Sequence, residues 1–232
     1  MFDINEKVRR MALDHPVPYR VWAARHKKNL PQSGDALYLD GYPRSGNTYF
    51  TAFVRRLDPE IAFANHLHCV APIKIALNLG IPTFILMRNP EDTVLSYMVH
   101  LERFGRKSRR PNANPRRHAE RLLNNWLRYY RFVDGHREHL KVILSDEAFK
   151  EPIRTVERIL EIAGVSRGPR FADKLKKIHT EFVTRDASKA QGSTSYPSAE
   201  RERMKNSYRE CLEESNGLTK ARQLYLEMVS RV

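Results

Sequence analysis

The sequence predicts a single α/β domain built on a central, mostly parallel sheet flanked by helices. Strand-sized apolar segments alternate with helix-sized amphipathic segments along the 232 residues, which is typical of parallel strands joined by crossover helices. The segment "IPTFILM" (Ile81 to Met87) is continuously apolar, as expected for a strand covered on both faces. Hydrophobic residues make up 41% of the chain, which is ordinary for a globular protein and enough for a sizeable core.

The first half of the chain contains successive predicted strand–helix units. Strands are predicted at "DALYLDGYP", "IAFANHLH" and "IPTFILMR", and the helices that follow them at "GNTYFTAFVRRL", "VAPIKIALNLG" and "NPEDTVLSYMVHLERFG". Gly80 stops the second of these helices, and the third begins at Pro90 with Asn89 as its cap. Residues 1–34 are basic and are expected to form an N-terminal arm or helix ahead of a domain spanning residues 35–232.

The second half follows the same alternation after an Arg-rich loop, "GRKSRRPNANPRR". Helices are predicted at "HAERLLNNWLRYYRFVDGH", "EPIRTVERILEIAGV", "GPRFADKLKKIH" and "GLTKARQLYLEMV", and a fourth strand at "LKVILSD". The polar, turn-rich segment "TRDASKAQGSTSYPSAE" is expected to be a surface loop. Because ligands of such folds bind beyond the carboxyl ends of the strands, a functional site is expected in the loops that follow the strands.

The charge balance of the chain is strongly basic. The sequence has 41 basic and 27 acidic residues, for a formal net charge of +14, and ten of the Arg and Lys residues lie between Arg103 and Arg131 against one acid, Glu120. Such a field attracts nucleotides, sulfated or carboxylated compounds, nucleic acid or an acidic membrane surface. A basic face that only keeps the protein in solution explains the same charge equally well.

Other compositional features point to a soluble cytoplasmic protein. The sequence contains no apolar run of transmembrane length, and its N-terminal residues lack the apolar segment of a signal peptide. Cys69 and Cys211 give neither a disulfide framework nor a metal-ligand spacing, so no metal is expected.

The segment "GYPRSGNT", residues 41–48, has the glycine spacing of a phosphate-binding loop, G-x-x-x-x-G-K-[ST], but Asn47 replaces the lysine. The segment follows a predicted strand and opens a helix, where the terminal amides and the helix dipole favour an anion. Arg44 adds a permanent positive charge, and Ser45, Asn47 and Thr48 add side-chain donors. Without the lysine, Mg-dependent ATP chemistry fits poorly. A glycine-containing helix start that binds nothing is the alternative.

A second candidate anion site lies in "RNPEDTVLS". Arg88 stands at the end of a predicted strand, and Ser96 follows about two helical turns into the next helix. Both can face one phosphate, and their distance from the loop suggests a second anionic group on the same ligand. Taken alone, a strand-end ion pair for Arg88 and no special role for Ser96 would explain the segment as well.

The segment "NHLHC" supplies candidate histidines. Side chains alternate along a strand, so His66 and His68 are expected on one face of the second strand and Cys69 on the other. An imidazole at this position can take a proton from an acceptor hydroxyl. Two such histidines can also ligate zinc, although no third ligand is evident nearby, or simply be satisfied by hydrogen bonds. A general base is the favoured interpretation.

Taken together and in this order, these segments resemble the PAPS-dependent sulfotransferase family. "YPRSGNTYF" is similar to the 5′-phosphosulfate loop of that family, and "RNPEDTVLS" matches the R-x-P-x-x-x-x-x-S pattern of its 3′-phosphate site. "HLH" is placed like the K-x-H segment that carries its catalytic base, and "KVILSDEAFKEPIRTVERILEIAGV" is similar to the strand–loop–helix that follows. The resemblance covers residues 36–165 and implies a P-loop-NTPase-like sulfotransferase fold.

The resemblance also implies a reaction. A sulfuryl group would pass from 3′-phosphoadenosine 5′-phosphosulfate (PAPS) to a hydroxyl or amine of a small-molecule or carbohydrate acceptor, leaving adenosine 3′,5′-bisphosphate and requiring no metal. Arg44 would stabilise charge on the leaving oxygen, and His68 would be the general base. The donor-binding residues that the resemblance implies are Arg44, Ser45, Gly46, Asn47, Thr48, Arg88, Ser96, Arg185 and Lys189.

Three positions depart from the family pattern. Arg44 replaces the usual lysine and is permanently protonated, so it cannot hand over a proton. His66 also stands where the family has lysine, which leaves either histidine open as the base. The family's C-terminal Arg-Lys-Gly loop has its candidate counterpart in "TRDASKAQGS", with Arg185 and Lys189.

Two further functions remain open at this point. One is nucleic-acid binding through residues 103–131, although no zinc-finger, RNP or homeodomain pattern is present and no specific nucleic-acid partner is expected. The other is a P-loop-type nucleotide kinase. For a sulfotransferase, the basic loop favours an anionic acceptor.

Overall fold

The structure is a computed structural model that describes residues 14–25, 30–65, 67–104, 114–165, 170–188 and 199–232. The strands are β1 (Leu37–Gly41), β2 (Phe63–Asn65), β3 (Thr83–Met87) and β4 (Lys141–Leu144). The helices are α1 (Pro16–Arg25), α2 (Asn47–Leu57), α3 (Val70–Asn78), α4 (Pro90–Phe104), α5 (Pro115–Asp134), α6 (Ser145–Lys150), α7 (Pro152–Ile162), α8 (Phe171–Ser188), α9 (Ala199–Glu213) and α10 (Gly217–Val229).

The strands of the described residues form one parallel sheet in the order β2-β1-β3-β4. Because all of them run in the same direction, their carboxyl ends and the loops that follow meet at one edge. The chain leaves β1 for β2 on one side and later returns to β3 on the other side. This reversal of strand order opens a crevice beyond the carboxyl end of β1, where parallel α/β folds bind their ligands.

The two central strands are buried along their whole length, and alternate residues face different cores. Ile85 of β3 belongs to a core that includes Trp126 of α5 together with residues of α4 and α10. Its neighbour Leu86 belongs to the opposite core, which includes Phe50 of α2 together with residues of α7 and α8. Helices therefore cover both faces of the sheet, which explains why β3 is continuously apolar.

Most predicted elements are confirmed, and the differences lie in four places. Strand β2 ends at Asn65, short of the two histidines that were predicted to lie on it, and α6 begins directly after β4. Helix α8 continues to Ser188, so part of the predicted polar loop is helical. Helix α9 was not predicted because its sequence is mostly polar, and only a few residues such as Tyr208 and Leu212 anchor it in the core.

The carboxyl end of β1 lies very close to β3 at Gly41. A Cβ atom at this position would lie 2.4 Å from the backbone oxygen of Leu86 and 3.0 Å from Asn47 Oδ1. Since a backbone atom cannot move aside in the middle of a paired sheet, only glycine fits here. The loop after β1 therefore starts from a position fixed by strand pairing.

We expect Gly41→Ala to lower the free energy of unfolding by about 2 kcal/mol or more, which is the range of overpacking in a buried site. The matched control is Gly135→Ala at the end of α5, where φ is −65° and a Cβ would meet Arg131 O at 3.4 Å. That change should stay within about 1 kcal/mol of the wild type. Urea unfolding of both variants provides the comparison, and equal effects would contradict the close approach at Gly41.

Candidate functional site

The candidate site lies at the carboxyl ends of β1 and β3. The loop 42–46 follows β1 and leads into α2, while Arg88 follows β3 and precedes α4. At the start of α2, the amides of the first turn have no carbonyl one turn earlier in the helix, and the helix dipole is positive there. Two helices therefore begin at the same edge of the sheet, and both predicted anion-binding segments flank the crevice beyond β1.

Hydrogen bonds from the protein interior hold the loop in place. The Tyr130 hydroxyl of α5 donates to Leu86 O at 2.8 Å and accepts from the Tyr42 N–H at 3.3 Å, and it lies 3.3 Å from Ser45 Oγ. The hydroxyl of Ser145 donates to Ser45 O at 2.8 Å. These contacts join the loop to α5, β3 and the end of β4, so its shape is set by the fold.

The side chains of Ser45 and Asn47 differ from expectation because they turn inward. Ser45 is fully buried, and Asn47 Nδ2 donates to the carbonyl oxygens of Gly41 at 3.0 Å and Tyr42 at 3.2 Å. Both side chains were predicted to be donors to a ligand, whereas here Asn47 closes the loop on itself and the Ser45 hydroxyl lies against Tyr130 of α5. Thr48 is exposed at the start of α2. Any contact of residues 45–47 with an anion would come from backbone N–H groups.

Two residues of the loop have a left-handed backbone. Arg44 has φ 76° and Gly46 has φ 92°. Glycine adopts this conformation without strain, and a Cβ at Gly46 would lie 2.8 Å from the ring of Phe149. For Arg44 the same conformation costs about 1–2 kcal/mol. The surrounding structure maintains this strain, which turns the Arg44 side chain toward α4.

Arg44 lies in a cluster of arginines, two of which contact Ser96. Arg44 Nε donates to Ser96 Oγ at 3.1 Å, and Arg201 Nη2 of α9 donates to the same oxygen at 3.4 Å. Arg88 Nη1 lies 3.5 Å from Arg44 O. The sequence analysis expected Arg88 and Ser96 to form a pocket separate from the loop. The structure instead joins both motifs in one cluster, and it adds Arg201, which the sequence analysis missed.

The electrostatics of this cluster favour an anion. Burial, together with the positive charges of Arg201 and Arg88, lowers the pKa of Arg44 to about 10. Burial and the charge of Arg103 likewise lower the pKa of Arg201, whose side chain is largely hidden from solvent. The guanidinium groups of Arg44 and Arg201 remain charged at neutral pH and repel one another in a partly dehydrated place. Arg88 is partly compensated by Asp92 at 3.7 Å and Asp146 at 4.0 Å, the ion pairing that the sequence offered as an alternative role for it. A phosphate or sulfate group would relieve that repulsion.

His68 stands beside a buried carboxylate. Its Nδ1 lies 2.9 Å from Asp40 Oδ1 and 2.7 Å from Gly41 O, and its backbone N–H donates to Asp40 Oδ2 at 2.7 Å. Asp40 Oδ2 also accepts from Leu67 N at 3.2 Å and from the Tyr38 hydroxyl at 2.7 Å. By binding two successive N–H groups, this carboxylate draws the chain out of the ladder, which explains why β2 ends before His68.

The pKa values of this pair move in opposite directions. Burial raises the pKa of Asp40, but the charge and hydrogen bond of His68 and the hydrogen bond from Tyr38 outweigh it, so that the net pKa is lowered. Burial lowers the pKa of His68, but the Asp40 carboxylate outweighs it, and the net pKa is raised. His68 also has φ 52°, a left-handed conformation that its backbone hydrogen bond to Asp40 maintains.

The remaining predicted site residues are His66, Lys189 and Arg185. His66 and Lys189 lie outside the described residues, and Arg185 lies on helix α8 rather than in the loop predicted around it. Asp40, Arg201 and Tyr130 were not predicted as site residues. A signal for Asp40 existed, because an acidic residue inside the apolar strand "LYLDG" requires a partner. Arg201 had none, since charged residues are frequent throughout its segment.

Within the described ranges, no helix has the length and apolar character needed to cross a bilayer. The same part of the chain contains no group of three His, Cys, Asp or Glu side chains suited to holding a metal ion.

Comparison with known proteins identifies the fold. No family model and no curated protein matches the sequence. Among solved structures, the chain is similar to mouse sulfotransferase SULT7A1 complexed with PAP, with a TM-score of 0.52 and 15% identity, over 84% of this chain and 91% of that chain. The fold is the sulfotransferase fold. The predicted fold class, a parallel sheet between helices, is therefore confirmed.

The strained backbone at Arg44 leads to a prediction about stability. We expect Arg44→Gly to have a free energy of unfolding about 1 kcal/mol higher than Arg44→Ala, because both remove the charge and only glycine relieves the left-handed strain. Urea unfolding of the two variants measures the difference. If the alanine variant proved the more stable, Arg44 would not be strained as described.

Proposed function

We propose that this protein is a sulfotransferase that moves a sulfuryl group from PAPS to a hydroxyl or amine acceptor. The observation that carries the proposal is that Arg44 and Arg201 both donate to Ser96, with Arg88 beside the Arg44 backbone, at the edge of the sheet where His68 also stands. The fold is similar to that of a sulfotransferase whose structure contains PAP, which supports the same choice. The guanidinium groups present suit a ligand that carries phosphate groups.

The cationic cluster divides naturally into two roles. Backbone N–H groups at the start of α2, with Arg44, would bind the 5′-phosphosulfate end of the donor, while Arg88, Ser96 and Arg201 would bind its 3′-phosphate. In this assignment Arg201 takes the part that the sequence analysis gave to Arg185 and Lys189.

An aromatic surface beside the loop can accept the purine base. The Phe149 ring lies against Gly46 and is 47% exposed, and its centroid is 5.3 Å from that of Tyr49. Purines stack readily on exposed aromatic faces next to a phosphate-binding loop. Phe149 and Tyr49 would therefore fix the adenine end of the donor.

In the reaction, His68 would accept the proton of the acceptor hydroxyl as the acceptor oxygen forms its bond to sulfur. The bond between sulfur and the 5′-phosphate oxygen breaks in line, and Arg44 would stabilise the charge that develops on this oxygen. The products are the sulfated acceptor, adenosine 3′,5′-bisphosphate and a proton on His68. Positioning and charge stabilisation are sufficient for this transfer, as in phosphoryl transfer.

The acceptor we propose is a small molecule or a carbohydrate, and an anionic one is favoured by the basic segment 103–131. A screen of acceptor classes with labelled PAPS tests this directly. If neutral acceptors consistently outperform carboxylated or sulfated ones, the anionic preference is wrong.

We expect saturable binding of adenosine 3′,5′-bisphosphate, measured by isothermal titration calorimetry. Arg88→Ala and Arg201→Ala should each weaken it at least about tenfold, because a charge-assisted hydrogen bond is worth about 1.5–3 kcal/mol. The matched control is Arg154→Ala, which removes an exposed arginine paired with Glu151 on α7 and should leave binding unchanged. Equal competition by ATP with Mg would overturn the donor assignment and favour the kinase alternative.

We expect His68→Ala to lower kcat/KM for sulfuryl transfer about 100- to 10,000-fold, the usual contribution of a general base, with unchanged affinity for adenosine 3′,5′-bisphosphate. His66→Ala is the control and should retain activity. The reverse pattern, with activity lost only in the His66 variant, would assign the base to the other histidine.

A further inference from the structure

Asp40 is a carboxylate in the interior of the protein. It lies in β1 with an exposure of 0%, and the chain orders four groups around it: the Tyr38 hydroxyl, the N–H groups of Leu67 and His68, and the His68 ring. Removing a carboxylate from water costs several kcal/mol unless hydrogen bonds and an opposite charge compensate. The position of each partner therefore indicates what the carboxylate does.

The two carboxylate oxygens have different tasks. Oδ2 binds the Tyr38 hydroxyl and both backbone N–H groups, which fixes the path of the chain at His68. Oδ1 lies 2.9 Å from His68 Nδ1, close enough for its negative charge to act on the imidazole, while the hydrogen bond of Nδ1 is made with Gly41 O at 2.7 Å. A carboxylate that served only to shape the turn would need the first set of contacts and not the second.

The contacts of His68 Nδ1 determine its tautomer. Both the ionised Asp40 and the carbonyl of Gly41 are acceptors only, and both lie within hydrogen-bond distance of this nitrogen. Asn47 Nδ2 is 3.5 Å from it but already donates to the carbonyls of Gly41 and Tyr42. The proton of the neutral ring therefore belongs on Nδ1, and the lone pair that can accept a proton belongs to Nε2.

We propose that Asp40 is the positioning residue of the general base. It fixes the backbone of His68 at the carboxyl edge of the sheet, favours the Nδ1–H tautomer together with Gly41 O, and stabilises by its charge the imidazolium formed when Nε2 takes a proton. This inference rests on the proposed function, since it assigns a partner to the proposed base.

Within the described residues, the other ionisable groups that the charge of Asp40 reaches are four tyrosines and one cysteine. They are Tyr38 of β1, Tyr19 of α1, Tyr129 and Tyr130 of α5, and Cys69 next to α3. Burial raises the pKa of each of these phenols and of the thiol, and the negative charge of Asp40 raises them further. They stay neutral across the working range, so a pH profile between about 4 and 9 reports the Asp40–His68 pair.

The first test is a titration of His68 by NMR, without donor or acceptor, using imidazole-labelled protein and a His68→Gln variant for assignment. In Asp40→Asn, the pKa of His68 should fall by about one unit or more, since an opposite charge at this distance shifts a pKa by about 1–3 units. In Tyr38→Phe, the Asp40 carboxylate loses the hydrogen bond from the Tyr38 hydroxyl, so its attraction for the protonated His68 ring becomes stronger. The pKa of His68 should therefore rise. An unchanged His68 pKa in a folded Asp40→Asn variant would overturn the proposal.

If Asp40→Asn does not fold, the Tyr38→Phe variant still tests the proposal. It removes only one buried hydroxyl, and an unchanged or lower His68 pKa in this variant would equally overturn the proposal.

The second test separates this inference from the proposed function. A base must be neutral to accept a proton, so kcat/KM falls below the pKa of His68. Asp40→Asn should lower kcat/KM about 10- to 1,000-fold and move the acid limb to lower pH, with adenosine 3′,5′-bisphosphate bound as tightly as by the wild type. A lower rate without movement of the limb would indicate a structural role only. If the wild type binds no adenosine 3′,5′-bisphosphate, the proposed function fails, while the NMR result still decides whether Asp40 controls His68.

Discussion

Positive charge is concentrated at one corner of the sheet, and the fold holds it there against its own repulsion. Arg44 comes from the loop after β1, Arg88 from the end of β3 and Arg201 from α9, and two of them donate to the hydroxyl of Ser96. Burial and mutual repulsion both oppose the charged forms, as the lowered pKa of Arg44 indicates. The folded state therefore carries an electrostatic cost that a bound polyanion would reduce.

The support for this corner comes from the interior of the protein. A single hydroxyl, that of Tyr130, touches the loop at Tyr42 and Ser45 and at the same time donates to Leu86 O of β3. Because α5 is packed into the core through Trp126 and its neighbours, its hydrogen bonds to the loop restrain the loop as firmly as the core holds the helix. The left-handed conformation of Arg44 can persist only because the residues on either side are held in this way.

The sequence could indicate the parts of the candidate site that carry a motif. The glycine spacing of the loop, Arg88 with Ser96, and the histidine after β2 all follow from residue types at fixed distances, and the structure brings the first two into contact. Asp40 and Arg201 could not be assigned in this way. Their roles depend on long-range contacts, with Leu67 and His68 in one case and with Ser96 in the other, and no local pattern records such contacts.

The fold was predictable to a similar degree and for similar reasons. Strand β3 is apolar on both faces and could be recognised locally, whereas the end of β2 depends on a carboxylate from β1 that binds the N–H groups of Leu67 and His68. Helix α9 buries only a few side chains, including Tyr208, so its sequence shows little amphipathic pattern. Tertiary contacts decide both features, and propensity alone does not contain them.

The replacement of the phosphate-loop lysine by Asn47 also has a structural explanation. In a triphosphate-binding loop, a lysine at the start of the helix reaches outward to the phosphates. Here the side chain at that position turns inward and closes the loop on the carbonyls of Gly41 and Tyr42, beside the His68 ring. The positive charge is instead supplied three residues earlier, by Arg44, whose left-handed backbone directs it toward Ser96. Asn47 therefore links the two parts of the proposed site. It shapes the loop that would bind the donor, and it lies beside the His68 ring that would take the proton of the acceptor.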